Sequence, residues 1–209
     1  MLRLVVGLGN PGLQYLRNRH NVGFMVLDEL ARRGAACFTN KYQSFYTEAR
    51  FGAHKLLLQK PQTFMNLSGQ AVLPLVQFYK LEPSQIVIVH DDLDLPFGRL
   101  RIRAGGSSGG QNGVKDITAR LGTDGFVRLK IGISRPPAGW SVHNWVLSNF
   151  AAEEQAMLEQ LLAVAADAVL CIAEFGVQEA QNRYNPTDLR LEPEAQVEQI
   201  APESRTIEP

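Results

Sequence analysis

Apolar strand patterns alternate with amphipathic helical patterns along most of this 209-residue chain, and this alternation restricts the possible folds more than any other feature. Residues 2–6 are predicted as a buried strand, and residues 21–33 follow with apolar side chains at helical spacing. Such an order is typical of helices packed on both faces of a largely parallel sheet. We therefore predict a single three-layer α/β/α domain with a twisted, mostly parallel mixed sheet.

The remaining elements follow from the same patterns. Further strands are predicted at residues 45–50, 54–60, 85–89, 99–103 and 127–133, and helices at 69–79, 113–121, 151–175 and up to about residue 184. Ser68 is predicted to cap the helix at 69–79, and Pro74 to bend or break it. Residues 1–189 are predicted as the folded domain. Residues 190–209 hold three prolines and five glutamates and predict an acidic, mobile tail.

Composition excludes several classes of protein. The chain is 45% hydrophobic and 20% charged, unlike a collagen, a disordered chain or a disulfide scaffold. Its longest apolar stretch, residues 161–173, is shorter than a membrane span, so we predict no membrane segment. Cys37 and Cys171 have no CxxC spacing, which favours free thiols and a cytoplasmic location.

The net charge of zero conceals a separation of charge along the chain. Residues 1–135 carry 18 Lys or Arg against 9 Asp or Glu, whereas residues 136–209 carry 3 against 12. Residues 99–135 alone hold 8 basic and 2 acidic side chains. This local excess is consistent with a polyanionic partner, although solvated surface charge is the simpler interpretation.

Four polar or glycine-rich segments follow predicted strands, at residues 7–12, 61–66, 90–94 and 105–113. In open α/β sheets the carboxyl ends of the strands open into the crevice that binds ligands. We therefore expect the four segments to meet at one site. They would bring together Asn10, Asn66, His90, Asp91, Asp92 and Asn112, and His20 can reach the same place from the start of the first helix.

The first of these segments matches the dinucleotide-binding pattern GxGxxG but fits that function poorly. Pro11 removes a backbone N–H from the turn that would hold the pyrophosphate. Asp28, at the spacing of a ribose contact, lies within a helical pattern rather than after a second strand. We therefore do not predict a dinucleotide cofactor.

Residues 105–109 match GxSxG, the nucleophile elbow, with Asp116 and His143 following in the order that α/β-hydrolases use. However, Gln111 and Asn112 separate Ser107 from the predicted helix, whereas an elbow places its serine directly between strand and helix. A serine esterase acting through Ser107 remains an alternative hypothesis. It predicts covalent labelling by a fluorophosphonate.

A histidine and an aspartate among the polar loops suggest base catalysis without a metal. Neighbouring side chains from His90 to Asp94 point to opposite faces of a strand and cannot all bind one ion. His20 and Asp91 are both predicted to lie in the crevice, where a carboxylate can orient an imidazole that activates water. The asparagines can hold a carbonyl substrate or stabilise its oxyanion. The combination favours a hydrolase of an ester or amide.

The sequence strongly resembles the bacterial peptidyl-tRNA hydrolase family from about residue 2 to residue 184. The resemblance is carried by GLGNPG at 7–12, RHNVG at 19–23, PQTFMNLSG at 61–69, HDDLDLP at 90–96 and GGQNGVKD at 109–116. It implies a metal-free and cofactor-free hydrolase of the ester between a peptide and the 3′-terminal ribose of tRNA. Such an enzyme recycles tRNA from aborted translation, and we expect it to be a monomer.

The resemblance also implies roles for individual residues. His20 corresponds to the family's general base, Asp91 to the acid that orients it, and Asn10 to a residue that positions the substrate and water. The expected substrate-binding residues are Tyr15, Phe64, Met65, Asn66 and Asn112. The residues expected to hold the 5′ phosphate and acceptor stem of tRNA are Arg101, Arg103, Lys115 and Lys130.

The chain departs from the family's usual pattern at three positions. Asn18 replaces a threonine, and Ser108 and Gln111 stand where histidine is common. Gln111 can donate and accept hydrogen bonds but cannot become cationic, so contacts to the RNA end or their pH dependence are expected to differ. An RNA-binding protein on the same scaffold stays open as an alternative, because a plant organelle splicing factor also resembles this family.

Overall fold

The computed structural model describes residues 1–191 as one α/β structure. Seven strands form one sheet in the order β2-β3-β4-β1-β5-β7-β6. The strands are β1 (Leu4–Gly7), β2 (Thr39–Lys41), β3 (Ser44–Phe51), β4 (His54–Pro61), β5 (Ile86–Asp92), β6 (Leu100–Ala104) and β7 (Val127–Gly132). The helices are α1 (Val22–Arg33), α2 (Ser68–Tyr79), α3 (Asn112–Leu121), α4 (Val142–Val146), α5 (Gln155–Phe175) and α6 (Val177–Tyr184). Of the predicted acidic tail, residues 192–209 lie outside the described residues.

The centre of the sheet is parallel and its margins are antiparallel. Strands β4, β1, β5 and β7 run in the same direction, with Val5 opposite Leu58 on one side and Val87 on the other. Strands β2 and β3 form one antiparallel margin and β6 forms the other. The predicted mixed sheet with a mostly parallel core is confirmed.

Alternation along the strands produces a separate core on each face of the sheet. Val5, Val87 and Leu129 pack with residues of α1 and α5, whereas Leu4 and Ile88 pack with residues of α2 and α3. Because successive side chains of a strand point to opposite faces, a continuous apolar run supplies both cores at once. The three-layer α/β/α arrangement is therefore confirmed.

Helix α5 and the turn before it, Ala152–Phe175, are long and apolar enough to cross a membrane by length and composition. About half of an apolar 18-residue window within it is buried inside the fold. Leu161, Ala165 and Val169 are fully buried in the core that α5 shares with α1 and the sheet. Packing against the sheet accounts for the apolar face of this helix.

One detail predicted for α2 is wrong. The Ser68 hydroxyl does not cap the helix; it donates instead to the Met65 carbonyl at 2.8 Å. The cap comes from another helix, since Asp116 accepts from the Gly69 N–H at 2.8 Å. Pro74 does not break α2, which continues to Tyr79; Pro74 is exposed, so water can satisfy the carbonyl that loses its helical partner.

Three of the four loops leave the same edge of the sheet, as predicted, and the fourth does not. β1, β4 and β5 are adjacent and parallel, but β6 is antiparallel to β7. Ala104 at the end of β6 therefore lies beside Val127 at the start of β7, on the opposite edge. The glycine-rich loop, residues 105–110, reaches the site only by running along the face of β7.

Contacts along the glycine-rich loop trace this path. Arg128 donates to the Ser107 carbonyl, and a Cβ on Gly106 would lie 2.8 Å from the Arg128 guanidinium. Further along, a Cβ on Gly109 would lie 3.6 Å from Lys130 Nζ. Gly106 also has a φ of 109°, which L-residues rarely adopt. Glycine is therefore required where the loop passes over buried Arg128.

Candidate active site

His20 and Asp91 form a hydrogen-bonded pair at the carboxyl edge of the sheet. The distance from His20 Nδ1 to Asp91 Oδ2 is 2.8 Å, and the side chains are 15% and 4% exposed. Asp91 lies within β5, which extends beyond its predicted end at residue 89. Asp91 accepts a hydrogen bond from His20 Nδ1. The other ring nitrogen, Nε2, is therefore available to groups in the cleft that His20 lines.

A close approach of α1 to the sheet brings His20 to Asp91. A Cβ on Gly23 would lie 2.5 Å from the Leu8 nitrogen and 2.5 Å from the Val89 oxygen. Only glycine permits that separation, and His20 sits in the short turn, Arg19–Asn21, immediately before α1. The glycine three residues after His20 is thus part of the reason why the pair forms.

The pair perturbs both pKa values. Burial alone would lower the pKa of His20, but the charge of Asp91 and its hydrogen bond outweigh burial, and the net pKa lies above 6.5. Burial alone would raise the pKa of Asp91, yet the opposing effects of His20, followed by His90 and Gln111, lower it. Asp91 is therefore ionised, and His20 is a stronger base than an isolated imidazole.

Asn10 is held in one orientation by two neighbours. Its backbone N–H donates to Asn21 Oδ1 and its carbonyl accepts from Asn21 Nδ2, both at 2.9 Å. Its side-chain Oδ1 accepts from the Met65 N–H at 2.8 Å. Because Oδ1 is used in this way, the Nδ2 group is the part of the amide that remains to donate into the cleft.

All eight residues predicted for catalysis or substrate binding line one cleft of about 670 Å³. These are Asn10, Tyr15, His20, Phe64, Met65, Asn66, Asp91 and Asn112. Asn66 and Asn112 are exposed, Phe64 is 57% exposed, and Met65 is 5% exposed beneath them. Residues of α4 and Leu147 line the same cleft, and the sequence patterns missed this helix.

Three of the four predicted RNA-binding residues share one face of the sheet. Arg101 and Lys130 stand directly opposite each other on β6 and β7, and Arg103 is two residues along on the same face. Lys115 is exposed on α3. Lys130 Nζ also bonds to Asp92 Oδ2 at 2.7 Å, so part of its charge is already neutralised.

Sequence reasoning missed the role of Gln111. This residue is 7% exposed, and its Nε2 lies 3.3 Å from Asp91 Oδ1. Its Oε1 accepts from the Val114 N–H at 2.9 Å and caps α3. A polar residue three positions before a helical N–H is a capping signal, but nothing local in the sequence indicates its contact with Asp91.

Arg19 was also missed, although it precedes His20 directly. Its guanidinium is 3.8 Å from the ring centre of Trp145 and 4.8 Å from that of Phe150. It forms two hydrogen bonds to Glu154, at 3.0 and 2.6 Å. The backbone N–H of Arg19 donates to the Ser148 carbonyl at 2.9 Å. Arg19 thus connects the His20 turn to α4, which lines the cleft, and to the segment that follows it.

The alternative chemistries find little support in the described part of the chain. Asp116, the acid of the serine hypothesis, is engaged with Gly69 and Arg120. His90 is buried, and its Nδ1 donates to the Asp91 carbonyl at 2.7 Å. Within residues 1–191, no three His, Cys, Asp or Glu side chains are grouped as metal ligands.

The chain is similar to known proteins over most of its length. The family model described as peptidyl-tRNA hydrolase matches residues 4–193. A peptidyl-tRNA hydrolase of Deinococcus deserti is 53% identical over 92% of this chain and 89% of its own length. One of Desulfitobacterium hafniense is 50% identical over 88% of this chain and its own full length.

Solved structures lead to the same family. The crystal structure of peptidyl-tRNA hydrolase from Acinetobacter baumannii matches with a TM-score of 0.84 and 35% sequence identity. The match covers 90% of this chain and 96% of that one. The fold, the cleft and these similarities lead to one conclusion: the chain belongs to the peptidyl-tRNA hydrolase family.

Proposed function

We propose that this protein is a carboxylic ester hydrolase that cleaves the bond between a peptide, or an N-blocked amino acid, and the 3′-terminal ribose of tRNA. The observation that carries the proposal is the 2.8 Å pair of His20 and Asp91 within a cleft that contains three asparagines. Membership of the family supports the choice of substrate. The released tRNA returns to translation.

In this mechanism His20 is the general base. Asp91 holds the proton on Nδ1, so Nε2 accepts a proton from water while the water oxygen attacks the ester carbonyl. The bond from the carbonyl carbon to the ribose oxygen then breaks, and the ribose oxygen takes the proton from His20. Water supplies both the hydroxyl of the new carboxylic acid and the hydrogen of the freed ribose hydroxyl.

The asparagines stabilise the negative charge that develops on the carbonyl oxygen. Asn10 is suited to this because its Oδ1 is engaged by Met65, which leaves Nδ2 to donate. Asn66 and Asn112 lie on the exposed rim of the same cleft and supply further amide groups. Neutral donors stabilise an oxyanion without lowering the basicity of His20.

Four basic residues of β6, β7 and α3 are proposed to hold the RNA. Arg101, Arg103, Lys115 and Lys130 are assigned to the acceptor stem and the 5′ phosphate. Contacts of this kind orient the RNA without reading its sequence, so many tRNAs are accepted. The monomeric state, the cytoplasmic location and the domain boundary at residue 189 remain predictions from the sequence.

The test is the release of an N-blocked amino acid from its tRNA. His20→Ala is expected to lower kcat at least 100-fold while binding of tRNA changes less than threefold. His54→Ala is the matched control, since His54 lies at the start of β4 on the opposite edge of the sheet. Equal turnover by the native protein and His20→Ala would refute the mechanism.

Two further outcomes separate the alternatives. Absence of turnover in the native protein, with tRNA binding intact, would favour an RNA-binding protein on this scaffold. We also propose that the reaction needs no metal ion, because the His20–Asp91 pair activates water directly. Loss of activity with excess chelator, followed by recovery with a divalent ion, would contradict that part of the proposal.

A further inference from the structure

The carboxylate of Asp91 is held at both oxygens. Oδ2 accepts from His20 at 2.8 Å, and Oδ1 accepts from Gln111 Nε2 at 3.3 Å. Asp91 is only 4% exposed, so solvent has little access to compete for either oxygen. A carboxylate held at one oxygen can rotate about χ2, whereas one held at both cannot do so without losing a hydrogen bond.

Gln111 is itself fixed in one orientation. Its Oε1 accepts from the Val114 N–H at 2.9 Å, which directs the opposite end of the amide, Nε2, towards Asp91. Nε2 also lies 3.0 Å from the Met65 sulfur. Turning the amide over would set Oε1 against a carboxylate oxygen and leave a helical N–H without its acceptor, so both contacts oppose the change.

We propose, on the basis of the proposed function above, that Gln111 is a positioning residue that locks the Asp91 carboxylate, and through it the His20 ring, to the N-terminus of α3. The same helix begins with Asn112, which lines the cleft. Gln111 therefore keeps the base and one substrate-binding amide in a fixed relation, although it lies at the end of a glycine-rich loop.

The neutrality of Gln111 matters for the pH dependence of the reaction. Within residues 1–191, four titratable or charged groups surround Asp91. They are His20 on the turn before α1, His90 and Asp92 on β5, and Lys130 on β7, which is paired with Asp92. His143 of α4 lines the same cleft. Gln111 donates a hydrogen bond but has no ionisable group of its own. The protonation of His20 therefore depends mainly on its pairing with Asp91.

Two substitutions test this role. Gln111→Met keeps the length of the side chain but removes both polar atoms, and we expect kcat to fall about 10- to 100-fold through misorientation of the pair. Gln111→Glu can still cap α3 but sets a second carboxyl against Asp91. The added negative charge is expected to raise the pKa of His20, and the acidic limb of the kcat/KM profile moves to higher pH by about one unit.

The control is Gln77→Met on the exposed side of α2, and thermal unfolding verifies that each variant is folded. The His20 titration is followed by NMR as well as by activity. An unchanged His20 pKa in Gln111→Glu, or a kcat within twofold of the native value in folded Gln111→Met, would overturn the proposal. If the native protein shows no hydrolysis, the proposed function fails, while the NMR titration still decides the role of Gln111.

Discussion

Replacing Arg19 by alanine is expected to destabilise the protein by about 3 kcal/mol. Arg19 is 3% exposed, and the substitution removes two hydrogen bonds to Glu154 together with contacts to the rings of Trp145 and Phe150. A cation held over an aromatic ring and out of water contributes up to about 2 kcal/mol. Breaking a buried ion pair costs about 3–5 kcal/mol. Because Glu154 is 22% exposed and is partly rehydrated in the variant, the total loss of stability is smaller than the two contributions added together.

Thermal unfolding measures this loss. For a domain of this size about 1 kcal/mol shifts the midpoint by about 2–4 °C, so Arg19→Ala is expected to lower it by about 6–12 °C. Arg32→Ala is the control, because Arg32 pairs with Glu29 on the surface and is 72% exposed. If both variants unfold at the same temperature, the reasoning about Arg19 is wrong.

Three further predictions concern activity. The value of kcat/KM is expected to rise with pH, with a midpoint above 6.5, because Asp91 raises the pKa of His20. In Asp91→Asn the burial of His20 is no longer opposed and lowers that pKa. The midpoint therefore moves to lower pH, and the maximum value of kcat/KM falls. An unmoved midpoint would contradict the assignment. Arg103→Glu weakens tRNA binding at low salt and flattens its salt dependence, whereas unchanged affinity would remove Arg103 from the interface. Ser107→Ala is expected to retain full activity, and the native protein is expected not to react with a fluorophosphonate. The reason is that the Ser107 carbonyl accepts from Arg128 and that Asp116 accepts from Gly69. Labelling at Ser107 would instead support the serine esterase hypothesis.

The thermodynamic consequence of the His20 pKa has a definite sign. Because the pKa is higher in the folded protein than its ordinary value of 6.5, the protonated imidazole is stabilised by folding. That contribution is complete below pH 6.5 and is lost as the pH rises through the folded pKa. The neutral form needed for the proposed reaction therefore exists where this contribution is smallest.

Sequence patterns predicted the His20–Asp91 pair because the relevant loops follow parallel strands that are neighbours in the sheet. β1 lies between β4 and β5, so the loops with Asn10 and Asn66 and the end of β5 with Asp91 meet at one edge. The loop with Asn112 reaches the cleft by another route, since β6 runs in the opposite direction. The prediction that this loop reaches the site was right, but the prediction that it leaves the same edge of the sheet as the others was wrong.

The sequence by itself determined the alternation of elements, the apolar strands and eight of the residues that line the cleft, because these depend on local periodicity and on motifs. Only the tertiary structure decided that Gln111 holds the second oxygen of Asp91 and that Arg19 contacts the rings of Trp145 and Phe150. Gln111 is 20 residues from Asp91, and Arg19 is 126 residues from Trp145. Contacts over such separations depend on strand direction and helix packing, which local patterns do not encode.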